Sequence, residues 1–266
     1  MYIEFKFDIG ILLFQGIDML NSLEGKITVV TGASKGMGRT IAKAYAAEGA
    51  FVYCAARSEN ELRTVCDEIR NDGGKAEYIV TDVTDANSVE NLFNKVGADQ
   101  GKIDIAFLNA GGDIYPETVS ESEVEHWLSN IDLNLGSAYI CSKFAIPYLK
   151  KAEGSKIIFM GSGMGHNGIP EASAYSVAKS GVWMLTRILA AELVDFGISV
   201  NEICPGPVKT PGALEAWGKQ ETNVSSANKT EWVKESEDVV PLALFLATQP
   251  NVGPTAQSYS LMRRMS

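Results

Sequence analysis

The sequence predicts a doubly wound α/β fold, a parallel sheet of about seven strands with helices on both faces. Three observations predict it. Short β-branched or apolar runs recur along the chain, each separated from the next by a helix-length amphipathic segment. Strands alternating with such helices imply right-handed crossovers and parallel pairing. The first run leads directly into a glycine-rich turn, and a length of 266 residues with 45% hydrophobic and 21% charged residues suits one globular unit with a sizeable core.

An arm is expected over residues 1–22, a single domain over 23–261 and a short basic tail over 262–266. Residues 26–31 (KITVVT) have the composition of a buried parallel strand. A helix over 37–48 follows, with Ile41, Ala42, Tyr45 and Ala46 on one stripe and Gly49 as its stop. The second strand covers 51–55. Ser58 and Glu61 have capping-box spacing and open a helix over 59–71, closed by Gly73 and Gly74. The alternation continues with a strand at 76–81, a helix near 88–96 and a strand at 103–108. One long helix over about 121–150, a strand at 156–160, a helix over 174–195 and a strand at 198–203 complete it. Residues 205–232 break the rhythm with prolines, glycines and the polar stretch NVSSANKT, and read as a substrate lid.

Lys and Arg number 23 against 33 for Asp and Glu, a net charge of -10 that repels phosphate backbones and makes nucleic acid an improbable partner. Cys54, Cys66, Cys141 and Cys204 are scattered and form neither a CxxC pair nor a His/Cys cluster in sequence, so they read as reduced, mostly buried thiols, and no metal site is expected. Charges at Glu4, Lys6, Asp8 and Asp18 interrupt the apolar start of the chain, so neither a signal peptide nor a membrane span is expected and the cytoplasm is the expected compartment.

The turn Thr31-Gly32-Ala33-Ser34-Lys35-Gly36-Met37-Gly38 joins the first strand to the first helix, where backbone amides and the helix dipole favour a pyrophosphate. Glycine serves there because a Cβ would block both the turn and the approach of the phosphates. The tip of the second strand carries Ala56 and Arg57 where an acidic residue would bind the ribose hydroxyls of NAD. Arg57, with Lys35 in the turn, favours a 2'-phosphate and hence NADP(H) over NAD(H), with Glu59 close enough to temper that preference.

Tyr175 and Lys179 lie four residues apart at the start of a helix, on one face. An ammonium beside a phenol stabilises the phenolate and makes the tyrosine a usable acid or base. Ser162 follows the fifth strand at the carboxyl end of the sheet, where its hydroxyl can donate to a carbonyl oxygen. Asn134 sits mid-helix in an apolar stretch, where an amide needs a reason to be present.

These residues resemble the short-chain dehydrogenase/reductase superfamily in its ordinary one-domain form, over roughly residues 23–261. The likeness rests on TGASKGMG at Thr31, Asp82-Val83, Asn109-Ala110-Gly111, Asn134, Ser162, the Tyr175 to Lys179 pair and Pro205-Gly206-Pro207-Val208-Lys209-Thr210, in that order. The resemblance implies a Rossmann-type fold and an Asn134-Ser162-Tyr175-Lys179 tetrad. In it Tyr175 exchanges a proton with the substrate oxygen, Ser162 orients that oxygen, Lys179 holds the nicotinamide ribose and lowers the tyrosine pKa, and Asn134 fixes a relay water. It further implies that Asp82 and Val83 meet the adenine, Asn109 lies along the adenosine, and Val208 and Thr210 meet the carboxamide. Gly32, Ser34, Lys35, Gly36, Met37, Gly38, Arg57, Ala110, Gly111, Pro205 and Gly206 complete the expected cofactor site. A homotetramer is implied in the same way. Departures are Leu108 where the family often has a first asparagine, and Ala256 where it tends to carry glycine.

The expected activity is therefore NADP(H)-dependent interconversion of a ketone or aldehyde and an alcohol, on a 3-oxoacyl thioester or another small carbonyl substrate. The rival is a catalytically silent dinucleotide-binding scaffold, whose signature would be a broken tetrad. His126 reads as helix surface or packing, while His166, close after Ser162, is a candidate for the substrate pocket. Trp183, Met184 and Leu185 read as core or subunit contact, and Trp217 and Trp232 as candidates for the pocket or for lid packing.

Overall fold

The computed structural model describes residues 22–112, 114, 116–218 and 231–262. Of the expected arm, lid and tail, residues 1–21, 219–230 and 263–266 lie outside the described residues.

Seven parallel strands form one sheet in the order β3-β2-β1-β4-β5-β6-β7. They are β1 (Ile27–Thr31), β2 (Phe51–Ala56), β3 (Lys75–Val80), β4 (Ile105–Leu108), β5 (Lys156–Met160), β6 (Ser199–Cys204) and β7 (Ser258–Ser260). The order reverses between β1 and β4, which places a ligand crevice at the carboxyl ends of those two strands. Their register is pinned by Asp104, a buried carboxylate that accepts from the Ile27 amide at 2.9 Å and is flanked by Lys26 and Lys102.

Strand side chains alternate between two cores. Val30, Val52 and Cys54 pack with residues of α1 (Gly36–Ala47), α2 (Glu59–Asn71) and α8 (Val240–Thr248), including Ile41, Leu62 and Leu246. Val29, Tyr53 and Ala55 face α3 (Ala86–Gln100), α5 (Ser137–Leu149) and α6 (Ser173–Leu193), against Leu92, Ala145 and Leu189. Two-sided burial explains why the strands read as continuous apolar runs.

Two expectations need correction. The helix expected over 121–150 is divided into α4 (Val124–Ile131), a π-turn (Asp132–Gly136) and α5, with the Ser137 amide donating to the Asp132 carbonyl five residues back. Asn134 supplies the physical cause: its side-chain amide donates to the Asn130 carbonyl, the acceptor its own backbone amide would take in an α-helix. The capping box expected at α2 is absent, because Ser58 holds the N-cap position without a side-chain cap bond and Glu61 pairs with Lys35 at 2.7 Å. Within the expected lid, α7 (Pro211–Gly218) follows Thr210, whose hydroxyl accepts from the Ala213 amide.

Candidate active site

The turn after β1 is shaped by glycine. Gly32 and Gly36 have φ of 66° and 52°, and a Cβ on Gly38 would stand 2.2 Å from the Gly32 carbonyl oxygen. Helix α1 starts at this turn with no side-chain cap and no acidic residue in its first turn, so backbone N–H groups face the crevice without a protein acceptor from a cap. That cradle fits the pyrophosphate of a dinucleotide. Ser34 and Met37 line the same turn half-buried, and Gly36 touches Thr210, which brings the segment after β6 over it.

Asn109 braces the crevice from β4. Its side chain donates to the Thr31 carbonyl at 3.1 Å, while the Asn109 and Ala110 amides donate to the Thr31 hydroxyl at 3.0 and 3.1 Å. Gly111 passes so close to the tetrad that a Cβ would lie 2.7 Å from Asn134 Oδ1 and 3.4 Å from Lys179 Nζ. Asp82 accepts from the amide and hydroxyl of Thr84, bonds that hold its carboxyl below the usual range, with Arg57 adding a smaller pull. Val83 is buried beside it. Past β6, Pro205 and Val208 are buried and Gly206 has φ of 73°.

At the adenosine end the expected pair of free cations is not what the fold presents. Lys35 is tied to Glu61, a carboxylate from α2, and Ser34 and Ser58 add hydrogen bonds that help hold the Glu61 carboxyl low. Arg57 stands exposed at the tip of β2, and Glu59 turns to Arg63 and the Tyr78 hydroxyl. Sequence spacing alone did not reveal Glu61 as a tip residue, because one helical turn separates it from the strand end.

Asn134, Ser162, Tyr175 and Lys179 come together from three elements: the π-turn, the turn after β5 and α6. Tyr175 and Lys179 share one face of α6, with Lys179 Nζ 5.6 Å from the Tyr175 ring centroid, and Ser162 caps the short turn after β5 by accepting from the Met164 amide. Burial pushes the Tyr175 phenol up to about 12, and a hydrogen bond with Ser162 pulls the other way. Lys179 is drawn down to about 8 by desolvation, opposed by the negative charge of Glu202. Lys179 Nζ donates to the Met160 carbonyl at 2.9 Å, and burial dominates the phenol.

Asn134 ties two stretches of backbone together. Its Oδ1 accepts from the Gly112 amide at 2.9 Å, and its Nδ2 donates to the Gly112 and Asn130 carbonyls and to Asn130 Oδ1. It thereby fixes the loop after β4 to the π-turn. A cavity of about 10 Å³, near the least space that holds one water, lies between Asn134, Ser137, Met160 and Lys179.

His166 leaves the substrate side and turns towards β6, donating to or accepting from Glu202 at 2.8 Å and meeting Trp183 edge-on. Its placement as a pocket residue is thus corrected. A buried Glu202 is the partner that draws it away. Trp183 packs under Arg187, partly buried, and Met184 is half-exposed on the same helix. His126 lies 3.8 Å from Glu117 and lines, with Trp127, Asn130 and Tyr175, a second cavity of about 20 Å³. Trp232 is exposed.

Known proteins match the chain in sequence and in fold. A family model described as short chain dehydrogenase matches residues 26–221. The chain belongs to the short-chain dehydrogenase family. It is an oxidoreductase of the kind that acts on CH–OH groups and binds a nicotinamide dinucleotide. A 3beta-hydroxysteroid dehydrogenase of Mediterraneibacter gnavus is 33% identical over 223 residues, 82% of this chain and 80% of its own. The 3-oxoacyl-(acyl-carrier-protein) reductase FabG of Haemophilus influenzae is 32% identical over 226 residues, covering 85% and 92% of the two chains. Among solved structures, a short-chain type dehydrogenase/reductase from Mycobacterium marinum superposes with a TM-score of 0.83 at 31% identity, over 91% of this chain and 95% of that one. No helix among the described residues is long and apolar enough to cross a membrane.

Proposed function

We propose that this short-chain dehydrogenase interconverts a ketone or aldehyde and an alcohol with NADP(H), and that Tyr175 is the proton donor and acceptor. The observation that carries the reading is the convergence of Ser162, Tyr175 and Lys179 at the carboxyl edge of β5, beside the uncapped start of α1. The bound nicotinamide supplies hydride transfer to or from the substrate carbon. Every other task falls to the chain. Ser162 donates to the substrate oxygen and orients it. Tyr175, neutral in its buried setting, gives its proton to that oxygen during reduction and takes it back during oxidation. Lys179 lies one helical turn away, drawn down to about 8 by desolvation yet still mostly charged at neutral pH, and supplies positive charge beside the phenolate that forms. Asn134 holds the Gly111–Gly112 loop against the π-turn beside Lys179, and the small cavity next to it gives a relay water its place.

Gly32, Ser34, Gly36, Met37 and Gly38 would hold the pyrophosphate. Asp82, Val83, Asn109, Ala110 and Gly111 would hold the adenosine side, and Pro205, Gly206, Val208 and Thr210 the carboxamide. NADP(H) preference rests on Arg57 at the tip of β2 and on the lack of an acidic side chain at positions 56 and 57. Lys35 adds to it only when released from Glu61. The relatives named above favour a 3-oxoacyl thioester or a hydroxysteroid-like carbonyl substrate, with residues 205–232 closing over it as a lid of a single 23–261 domain. The enzyme works in the cytoplasm as a homotetramer. A panel of 3-oxoacyl thioesters, ketosteroids and small ketones, assayed with NADPH and with NADH, tests the reading. Higher kcat/KM with NADPH is expected, and a preference for NADH overturns the cofactor assignment.

A further inference from the structure

We propose that His166, Glu202 and Cys204 form a zinc site behind the catalytic serine loop, next to the residues assigned above. The three residues come from two elements: His166 ends the turn that begins at Ser162, while Glu202 and Cys204 are two apart on β6 and so point to the same side of the sheet.

Their donor atoms cluster tightly. His166 Nε2 stands 2.8 Å from Glu202 Oε1, Cys204 Sγ is 3.5 Å from that nitrogen, and it is 3.8 Å from that oxygen. Tetrahedral zinc with ordinary bond lengths holds N and O about 3.3 Å apart and sulfur about 3.6 Å from each. Both sulfur separations already agree to within a few tenths of an ångström, and the N–O pair opens by about half an ångström to admit the ion.

A second observation points the same way. Glu202 is fully buried, and its Oε2 has no hydrogen-bond partner, facing Gly161, where even a Cβ would come within 2.6 Å. A sealed carboxylate is costly unless positive charge balances it; Lys179 supplies part of that charge, and a cation on Oε1 would add the rest. Oε1 also accepts from the Ser258 hydroxyl, an outer contact of the sort that orients a ligating carboxylate.

The donor set selects the metal. One imidazole, one thiolate and one carboxylate suit zinc, whereas magnesium and calcium take oxygen alone. Thiolate, carboxylate and neutral imidazole balance two positive charges with none left over, which a buried site requires. His166 is a quarter exposed at its side chain while Glu202 is sealed, so the imidazole edge is the way in for the ion and a water completes the fourth position. The site would rivet the turn bearing Ser162 to β6.

The test uses the full-length protein, stripped with a chelator and titrated with Zn²⁺ and, as a spectroscopic probe, Co²⁺. One metal per chain is expected, with the visible bands of tetrahedral cobalt and a near-ultraviolet thiolate-to-cobalt band, and zinc should raise Tm. Cys204→Ser should remove the thiolate band, and Cys204→Ser and His166→Gln should each weaken binding roughly ten-fold or more. His166→Gln lies at the partly exposed end and keeps the protein assayable should the strand substitution impair folding. Failure to bind near one equivalent, a cobalt spectrum without the thiolate band, or binding unchanged by both substitutions overturns the proposal and leaves a hydrogen-bonded His166–Glu202 pair.

Discussion

Tyr175 and Lys179 are both titratable groups in a setting that disfavours charge, and the consequences can be measured. Tyr175→Phe keeps the ring and removes the proton, so kcat should fall by roughly 10²- to 10⁴-fold while NADPH binding, followed by fluorescence, changes little. Substantial residual turnover would remove Tyr175 from the proton step. For Lys179 the sign of the pH effect follows from its lowered pKa. Between about 8 and the ordinary lysine value near 10.4, the unfolded chain binds more protons than the folded one, so this residue's contribution to stability rises with pH. Below pH 8 the buried ammonium is a cost. Lys179→Met should therefore gain stability relative to the parent at pH 7, and that gain should shrink as pH rises towards 10 in urea unfolding; a gap independent of pH contradicts the buried-cation account. Asn134 is a residue whose importance was visible as an amide in an apolar stretch, but whose side-chain partners were not: spacing cannot show that its bonds go to Gly112 and Asn130.

Elements carry the next set of expectations. The Gly32–Gly38 turn leaves no room for a side chain at Gly38, so Gly38→Ala must push the turn away from α1, and NADPH affinity should drop at least ten-fold by fluorescence titration while the far-ultraviolet spectrum stays helical. Unchanged affinity would mean the cradle is not where the pyrophosphate sits. Helix α2 enters through Glu61. A half-exposed pair such as Lys35 with Glu61 is worth about 0–1 kcal/mol, so Glu61→Gln should raise the NADPH over NADH ratio of kcat/KM by no more than about five-fold. A fall in that ratio would show that Glu61 does not restrain Lys35. The π-turn between α4 and α5 belongs to this scale too. The apolar pattern runs through it unbroken, since one extra residue in a turn leaves composition untouched, and only the capture of the Asn130 carbonyl by Asn134 makes it.

For the whole molecule, apolar side chains remain exposed along one group of helices. Val124 and Leu128 on α4, Tyr139 on α5, and Val177, Met184 and Ile188 on α6 are each about half or more exposed. A surface of that kind suits subunit contact. Light scattering should give four times the 28.7 kDa chain mass, and Leu128→Glu with Met184→Glu should shift it to a smaller species. A monomer in the parent protein contradicts the assembly.

The sequence by itself determined the sheet-and-helix alternation, the glycine turn and the shared face of Tyr175 and Lys179, because each depends on local rules: buried parallel strands must be apolar, a phosphate turn must lack Cβ atoms, and a Tyr and Lys four apart must share a helical face. Tertiary structure decided what depends on residues far apart in the chain. It set Glu61 against Lys35, closed Asn134 on Gly112, turned His166 from the substrate side to Glu202 and Cys204, and let burial rather than the neighbouring ammonium govern the Tyr175 phenol. Hydrogen-bond partners and desolvation are properties of the packed interior, and no spacing along the chain encodes them.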